Sequence, residues 1–417
     1  MQIKATAIQN INDGCKEVTV IGRVDGNSLI DASGNLFIKD LKHHNFKDND
    51  IVVLKLLKTD NSLWKIKEII FHSSTLTEIP ENIWRLSSIH ADTDHHHWKL
   101  LHFRHKVIQT IRNYYLTEGF IEIETPILRL WEDATDNNLF ITAIGSRNFP
   151  RIHLRSCPEE YTRRAVIPFL RAFEIGKSFR NENCYRTTSN IQTYLPEFTL
   201  IEFYEAPADF ENGMLRLEEV ILKILECSEL PNQLEFNNNK INFKTPFERL
   251  RILDAINLFG GEEGEKFINN MYDSKYDRQI LFKKLNCIIE NKIKPNLVNP
   301  TFITHFPREA DVFPDISDNG FVLRAELICG SIEIGEVGTL QSDTQLLQKH
   351  LEKAVLDRHL STYAVDHLLD KDYIIELKRK IPHIGGGGMC IDRLVMLLTN
   401  TPDISDVVWY PFPLLKI

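Results

Sequence analysis

Arg180, Glu182, Phe198, Glu202 and Tyr204 fall within 25 residues of one another, and their types suit the binding of a nucleotide and a small charged molecule. Arg180 and Glu182 follow the segment Arg171–Phe179, whose alternation predicts a β-strand, and a second strand is predicted over Phe198–Glu205 after a long loop. In that second strand Phe198, Leu200, Glu202 and Tyr204 share one face, with Thr199, Ile201 and Phe203 on the other. A face carrying Phe, Glu and Tyr together suits a binding floor better than a plain core. An arginine fork at the strand end can hold a phosphate, the Glu182 carboxylate can accept from an exocyclic amine, and the Phe198 ring can stack on a purine.

A second reactive stretch, residues 325–336, reads AELICGSIEIGE. A two-residue turn at Gly330-Ser331 pairs Cys329 with Ile332, Ile328 with Glu333 and Glu326 with Gly335, so Glu326 and Glu333 become diagonal neighbours on one face. Two acids this close repel unless a cation or a proton intervenes, and their oxygens suit Mg²⁺ bridging nucleotide phosphates. Residues 383–400, HIGGGGMCIDRLVMLLTN, read as a glycine run feeding a helix that begins near Ile391. The glycines would let a phosphate approach the backbone, and Arg393 in the first turn would reach the far end of a triphosphate. A dinucleotide fingerprint has a different order, because here no long βαβ unit follows.

The elements that must position these groups are legible from pattern and punctuation. The 417 residues, 43% hydrophobic, suffice for one large or two ordinary domains with a sizeable core. Residues 1–80 read as five short strands separated by turn signals such as Asp25-Gly26-Asn27, which predicts a small closed barrel of the oligonucleotide-binding (OB) type. Residues 78–100, with His95-His96-His97, read as a solvated linker. Helical spacing over His102–Thr117 ends at Gly119, and IEIETPIL is expected as a strand. Ile152–Cys157 reads as a strand entering an amphipathic helix through Phe169, with Glu159 and Glu160 in its first turn. Beyond these, a helix over Asp209–Glu226, a strand-like KINFKTPFERL and a helical stretch to about Ile293 are expected.

Seven scattered cysteines without a Cys-x-x-Cys pair argue for reduced thiols and against a disulfide frame or structural zinc. No apolar run approaches a membrane span and the N-terminus lacks a signal-peptide core, so the expected address is the cytoplasm. A net charge of −9 gives no global attraction to nucleic acid, and any RNA contact would rest on a local basic patch.

FRNE followed by PEFTLIEFY is similar to the second signature motif of class II (subclass b) aminoacyl-tRNA synthetases, the lysyl/aspartyl/asparaginyl group, and resembles its lysyl-like members most. The helix, glycine, strand and proline around residues 102–126 resemble the family's first motif, and GGGGMCIDRLVMLLTN its third. The resemblance implies an α+β fold: an antiparallel catalytic sheet flanked by helices over 101–417, an OB-like barrel over 1–80, a linker over 81–100, and a homodimer. It implies ATP and an amino acid as substrates, Mg²⁺ as cofactor, formation of an aminoacyl-adenylate, and tRNA as a partner. By the same resemblance Arg180 holds the α-phosphate and the substrate carboxylate, Glu182 and Phe198 hold adenine, Glu326 and Glu333 hold Mg²⁺, and Arg393 holds the γ-phosphate. Glu159 would meet the substrate's α-amino group, and Glu202 and Tyr204 match the lysyl pattern for an amine-bearing side chain.

The chain departs from that pattern at three places. Tyr194-Leu195 stands where the family has a basic pair, with Arg186 as a candidate substitute; Glu336 replaces an asparagine near the substrate carboxylate; Leu340 replaces an acid that holds lysine's terminal amine. Two readings therefore stand side by side, a tRNA ligase and a paralogue that passes the activated amino acid to a protein or a small amine. A regulator without catalysis is the third and weakest.

Overall fold

The computed structural model describes residues 5–11, 14–31, 34–48, 50–59, 62–73, 95–131, 139–143, 152–181, 187–188, 191–271, 278–307, 315–316, 320–341, 343–359, 370–378 and 382–411. The chain divides into two compact units, residues 1–105 with 408–417, and residues 106–407. In the first unit, β1 (Glu17–Asp25), β2 (Ser28–Asp31), β3 (Gly34–Phe37), β4 (Ile51–Lys58) and β5 (Trp64–Ser73) form an antiparallel sheet of order β3-β2-β1-β4-β5. Period-two alternation sends Val18 and Val20 of β1 and Val52, Leu54 and Leu56 of β4 to one core with Leu29, Ile38 and Trp64. A parallel bridge between Ile38 and Trp64 joins the two ends of the sheet, so it fits the expected OB-like barrel.

The second unit is built on one eight-stranded sheet. Its strands are β6 (Ile121–Glu122), β7 (Arg171–Phe179), β8 (Glu197–Glu205), β9 (Glu248–Arg251), β10 (Thr301–Pro307), β11 (Phe321–Cys329), β12 (Ile332–Thr339) and β13 (Gly385–Cys390). The order is β9-β10-β11-β12-β13-β8-β7-β6, antiparallel throughout except for the edge pairs β9/β10 and β7/β6. Helices α1 (His95–Thr117), α2 (Glu159–Phe169), α3 (Phe210–Cys227), α4 (Ile252–Phe259), α5 (Gly261–Asn270), α6 (Arg278–Ile288), α7 (Thr344–His359), α8 (Lys371–Leu377) and α9 (Ile391–Thr399) complete the α+β fold. Tyr115 of α1 lies 5.0 Å from Phe203 and 5.3 Å from Phe173, ring centre to ring centre, and this aromatic cluster backs the sheet. Each such pair adds about 1 kcal/mol beyond the area it buries.

Helix α3 starts where its capping chemistry says it should: Asn212 N donates to Asp209 Oδ1 at 3.1 Å and Asp209 N to Asn212 Oδ1 at 3.0 Å. Its Met214, Leu217, Val220, Ile221 and Ile224 are buried. A Cβ on Gly213 would meet the Val337 side chain at 2.8 Å, so the missing side chain lets α3 lie close on β12.

Three expectations change. The segment expected as a linker is helical from His95 onward; residues 74–94 and the side chains of His95–His97 lie outside the described residues. The strand expected over IEIETPIL is confined to Ile121–Glu122, and Leu128–Arg129 pairs instead with Ile152–Leu154. The glycine run is not a phosphate loop but β13, a strand in the middle of the sheet. What approaches its backbone closely is neighbouring protein: a Cβ at Gly386 or Gly387 would overlap the carbonyl oxygens of Phe203 or Glu336.

Candidate active site

Register places one carboxylate on each of four strands along a single line. Glu174 of β7 pairs with Glu202 of β8, Glu202 with Gly388 of β13, Gly388 with Glu336 of β12, and Glu336 with Glu326 of β11. Directly opposed residues share a face, so four glutamates line one side of the sheet with a glycine between them. A Cβ at Gly388 would sit 2.5 Å from Glu202 Oε2, which shows that the Glu202 carboxylate lies over this glycine.

Such a row stands only because cations and a proton neutralise it. Glu174 pairs with Arg155 at 2.7 Å and accepts from Thr125 Oγ1 at 2.6 Å. Glu326 and Glu336 share Arg324, whose Nη2 reaches Glu326 Oε1 at 2.7 Å and Glu336 Oε2 at 2.8 Å, while its Nε reaches Glu336 Oε1 at 2.5 Å. Glu202 accepts from the Tyr204 hydroxyl at 2.7 Å, and that hydroxyl also reaches Glu159 Oε1 at 3.3 Å. Glu159, at the start of α2, is paired with Arg163 one turn on, and the Arg163 guanidinium lies 4.9 Å from the Tyr204 ring centre. The structure thus brings Glu159, Glu202 and Tyr204 together around one buried arginine.

Burial pushes the Glu202 carboxyl up to about 8, and Glu159 and Glu336 add to the shift against the opposing pull of the Tyr204 hydroxyl and Arg163. Between its ordinary value of 4.5 and about 8 the folded chain holds a proton here that the unfolded chain has released. That stability is therefore present below pH 4.5 and is lost as pH rises through 8. Urea denaturation at pH 5, 7 and 9 should show Glu202→Gln gaining on the wild type as pH rises, by on the order of a few kcal/mol across the range. A difference that does not change with pH would contradict the buried proton.

The acid hairpin differs from expectation in one respect that matters. Cys329 pairs with Ile332 and Ile328 with Glu333 as predicted, but Leu327 then pairs with Gly335, so Glu326 lies opposite Glu336 and not opposite Gly335. Ile334 is a bulge residue without a partner on β11. Glu333 and Glu336, three apart, consequently share a face with Glu326. Glu333 Oε2 pairs with the Lys294 ammonium at 3.1 Å. Of the two interacting acids Glu326 is the one whose pKa rises, chiefly through burial, while Lys294 and Arg393 outweigh burial at Glu333 and hold it low.

Could these acids hold Mg²⁺? One oxygen of each is already engaged by a cation of the protein, and among the described residues no group of three or more His, Cys, Asp or Glu could hold a metal ion. Mg²⁺ commonly uses one or two carboxylates together with substrate phosphates. The donor set is compatible with a metal that arrives with a nucleotide, and Glu326 and Glu333 are the two acids that could hold it.

Arg180 lies at the end of β7, its N–H donating to Pro196 O at 3.0 Å and its guanidinium 5.3 Å from the Phe198 ring centre. Its Nε is buried with no hydrogen-bond partner among the described residues. Arg393, in the first turn of α9, donates from Nη1 to Glu333 O at 2.8 Å and from Nε to Thr193 O at 3.3 Å, and stacks 5.1 Å from the Tyr194 ring centre. The short segment Thr193–Pro196 thus touches both arginines. Asp392 Oδ2 accepts from Thr199 N at 2.7 Å, fixing the start of α9 against β8. Glu182 and Arg186 lie outside the described residues.

A family model described as tRNA synthetases class II (D, K and N) matches residues 84–413. The chain belongs to this family. It is 30% identical over 324 residues to a lysine–tRNA ligase of Neisseria meningitidis serogroup B, covering 74% of this chain and 62% of that protein. It is 31% identical over 333 residues to the lysine–tRNA ligase of Saccharolobus solfataricus, 76% of this chain and 65% of that one, and 31% identical over 324 residues to that of Campylobacter jejuni, 74% and 62%. The chain spans less than two thirds of the length of these relatives.

In this class II synthetase chain the sequence reading missed Arg155, Arg163, Glu174, Arg324 and Lys294. Three of them carry a signal in hindsight: Arg163 follows Glu159 at helical spacing, Arg324 precedes Glu326 by one strand repeat, and Glu174 faces Glu202 once the two strands are paired. Arg155, on the loop after a three-residue strand, and Lys294, 39 residues before Glu333, carry none.

Proposed function

We propose that the chain is an ATP-dependent ligase that activates an amino acid as its adenylate and transfers it to tRNA. The observation that carries this reading is the line of four carboxylates, with Glu333 on the same face beside Lys294 and Arg393, and with Arg180 stacked on Phe198 on the adjoining strand end. In this reading Phe198 stacks on adenine, Glu182 accepts from its exocyclic amine, Arg180 holds the α-phosphate against the substrate carboxylate, and Arg393 holds the γ-phosphate. Glu159 receives the substrate's α-amino group. Glu202 and Tyr204 receive a side-chain amine, and an ammonium there would take Glu202 from neutral to ionised. Mg²⁺ brought with ATP would neutralise phosphate charge. The reaction is an in-line attack of a carboxylate on phosphorus, so catalysis is positioning and charge neutralisation, and the protein needs no nucleophile of its own.

The same reading assigns 1–80 to an OB-like barrel, 81–100 to a connecting segment and 101–417 to the catalytic domain, in a cytoplasmic homodimer. Leu116, Ile121, Ile127, Leu128 and Phe169 are exposed apolar residues around the first motif, which supports a partner there. Among the described residues no helix is long and apolar enough to cross a membrane.

A second acceptor is favoured by two observations. Leu340 is buried with Tyr204, Leu347, Tyr373 and Ile384, so the position that carries an acid in lysyl enzymes is apolar core, and Arg324 claims Glu336. On the barrel, Lys55 and Lys67 both pair with Glu17, at 2.8 and 2.6 Å, which reduces the positive charge offered to RNA. A paralogue that hands its amino acid to a protein or a small amine fits both. ATP–pyrophosphate exchange should appear with one standard amino acid when all are screened with Mg²⁺, and silence across the set would defeat activation of a standard substrate. Acid-precipitable label on total tRNA then separates the acceptors: exchange without charging leaves only the paralogue.

A further inference from the structure

Lys294 is the least expected member of the site. It opens the 3₁₀ turn Lys294–Asn296 that follows α6 and the turn Ile289–Ile293, and is 7% exposed. Its ammonium lies 2.5 Å from Glu290 Oε1 and 3.1 Å from Glu333 Oε2. The backbone holds it there: Ser331 N donates to Leu297 O at 3.0 Å, Gly330 N to Val298 O at 2.9 Å, and Ser331 Oγ to Pro295 O at 3.3 Å. The segment carrying the lysine is thus clamped to the turn of the hairpin that carries Glu326 and Glu333.

Arg324 performs the matching task at Glu326. Both acids assigned to the metal on the reading above therefore already face a fixed positive charge supplied by the chain itself.

We propose that Lys294 is a resident cation of the nucleotide site, occupying with its ammonium the place beside Glu333 that a divalent ion would otherwise take, so that no divalent ion binds until a nucleotide brings it. This rests on the ligase reading for the nucleotide and for the assignment of Glu326 and Glu333 to its metal. The electrostatic part concerns the chain alone: the ammonium bridges two carboxylates, Glu290 and Glu333, and removing it would leave their oxygens open to a hard cation. Nucleotide binding should accordingly depend less on added metal than it would at two bare acids, because one positive charge near the phosphates never leaves.

The test is Mn²⁺ titration of the full chain without nucleotide, followed by the loss of free-ion electron spin resonance signal. The wild type should show no site tighter than about 1 mM, while Lys294→Met should gain one site at least about tenfold tighter, which Glu333→Gln in the same chain removes. Lys294→Arg, which keeps the charge, should behave like the wild type. The wild-type titration needs no substitution to fold: a nucleotide-free Mn²⁺ site of micromolar affinity in the unaltered chain overturns the proposal. So does a folded Lys294→Met, judged by its melting curve, that gains no site. ATP–pyrophosphate exchange is not used in this measurement, so failure of the ligase reading and failure of the resident cation are read separately.

Discussion

Arg180→Ala is expected to lower amino-acid-dependent ATP–pyrophosphate exchange by about 10³-fold or more, while the melting temperature stays within about two degrees of the wild type. The two halves of this expectation have different causes. Arg180 contributes little to the fold: its stacking on Phe198 is partly exposed, and its buried Nε has no partner among the described residues, so truncation leaves no acceptor stranded. For the reaction, however, its planar fork is the group on this strand end that can bridge a phosphate and a carboxylate together. Arg180→Lys should recover little, because an ammonium is a point charge and cannot make two parallel hydrogen bonds. Exchange within tenfold of wild type in Arg180→Ala, at saturating ATP and amino acid, would remove Arg180 from the proposed chemistry.

Gly387→Ala should be costly to the fold. The added Cβ would overlap the Glu336 carbonyl oxygen and lie 2.6 Å from Val337 Cα, and both atoms belong to the backbone of β12, which cannot swing aside. A loss of about 3 kcal/mol or more is expected, seen as a lower urea midpoint at an unchanged slope. Gly388→Ala offers the internal comparison. Its nearest atom is the tip of the Glu202 side chain at 2.5 Å, so it should cost less stability and displace the carboxylate instead. Equal stability of Gly387→Ala and wild type would mean that the close approach of β12 and β13 is wrong.

Most of the architecture was legible because it is written in local signals. The five strands of the first unit were delimited by turn residues and β7 and β8 by alternation, and α3 and α9 lie close to where helices are expected from the sequence. Glycines misled for a physical reason: a missing side chain permits close approach without saying by what, and in β13 the approaching atoms are those of adjacent strands and of Glu202. Pairing register failed at one residue, Ile334, since nothing in a run of alternating Ile, Glu and Gly announces which residue will be left out of a ladder. The countercharges failed most often. Arg155 and Lys294 meet their acids across 19 and 39 residues of chain, through strands and turns whose mutual placement only the tertiary fold decides.

The unpaired residue at 334 also localises where this hairpin can change length. Every partner that β12 finds on β13 begins at Gly335, downstream of the bulge. Removing Ile334 would forfeit one buried aliphatic side chain but leave Glu336 opposite Glu326 and the ladder to β13 in phase. The same deletion two residues later would rotate every following side chain to the opposite face. Length variation among related chains, if it occurs in this strand, should therefore gather at that single position, where gaining or losing a residue leaves the row of carboxylates intact.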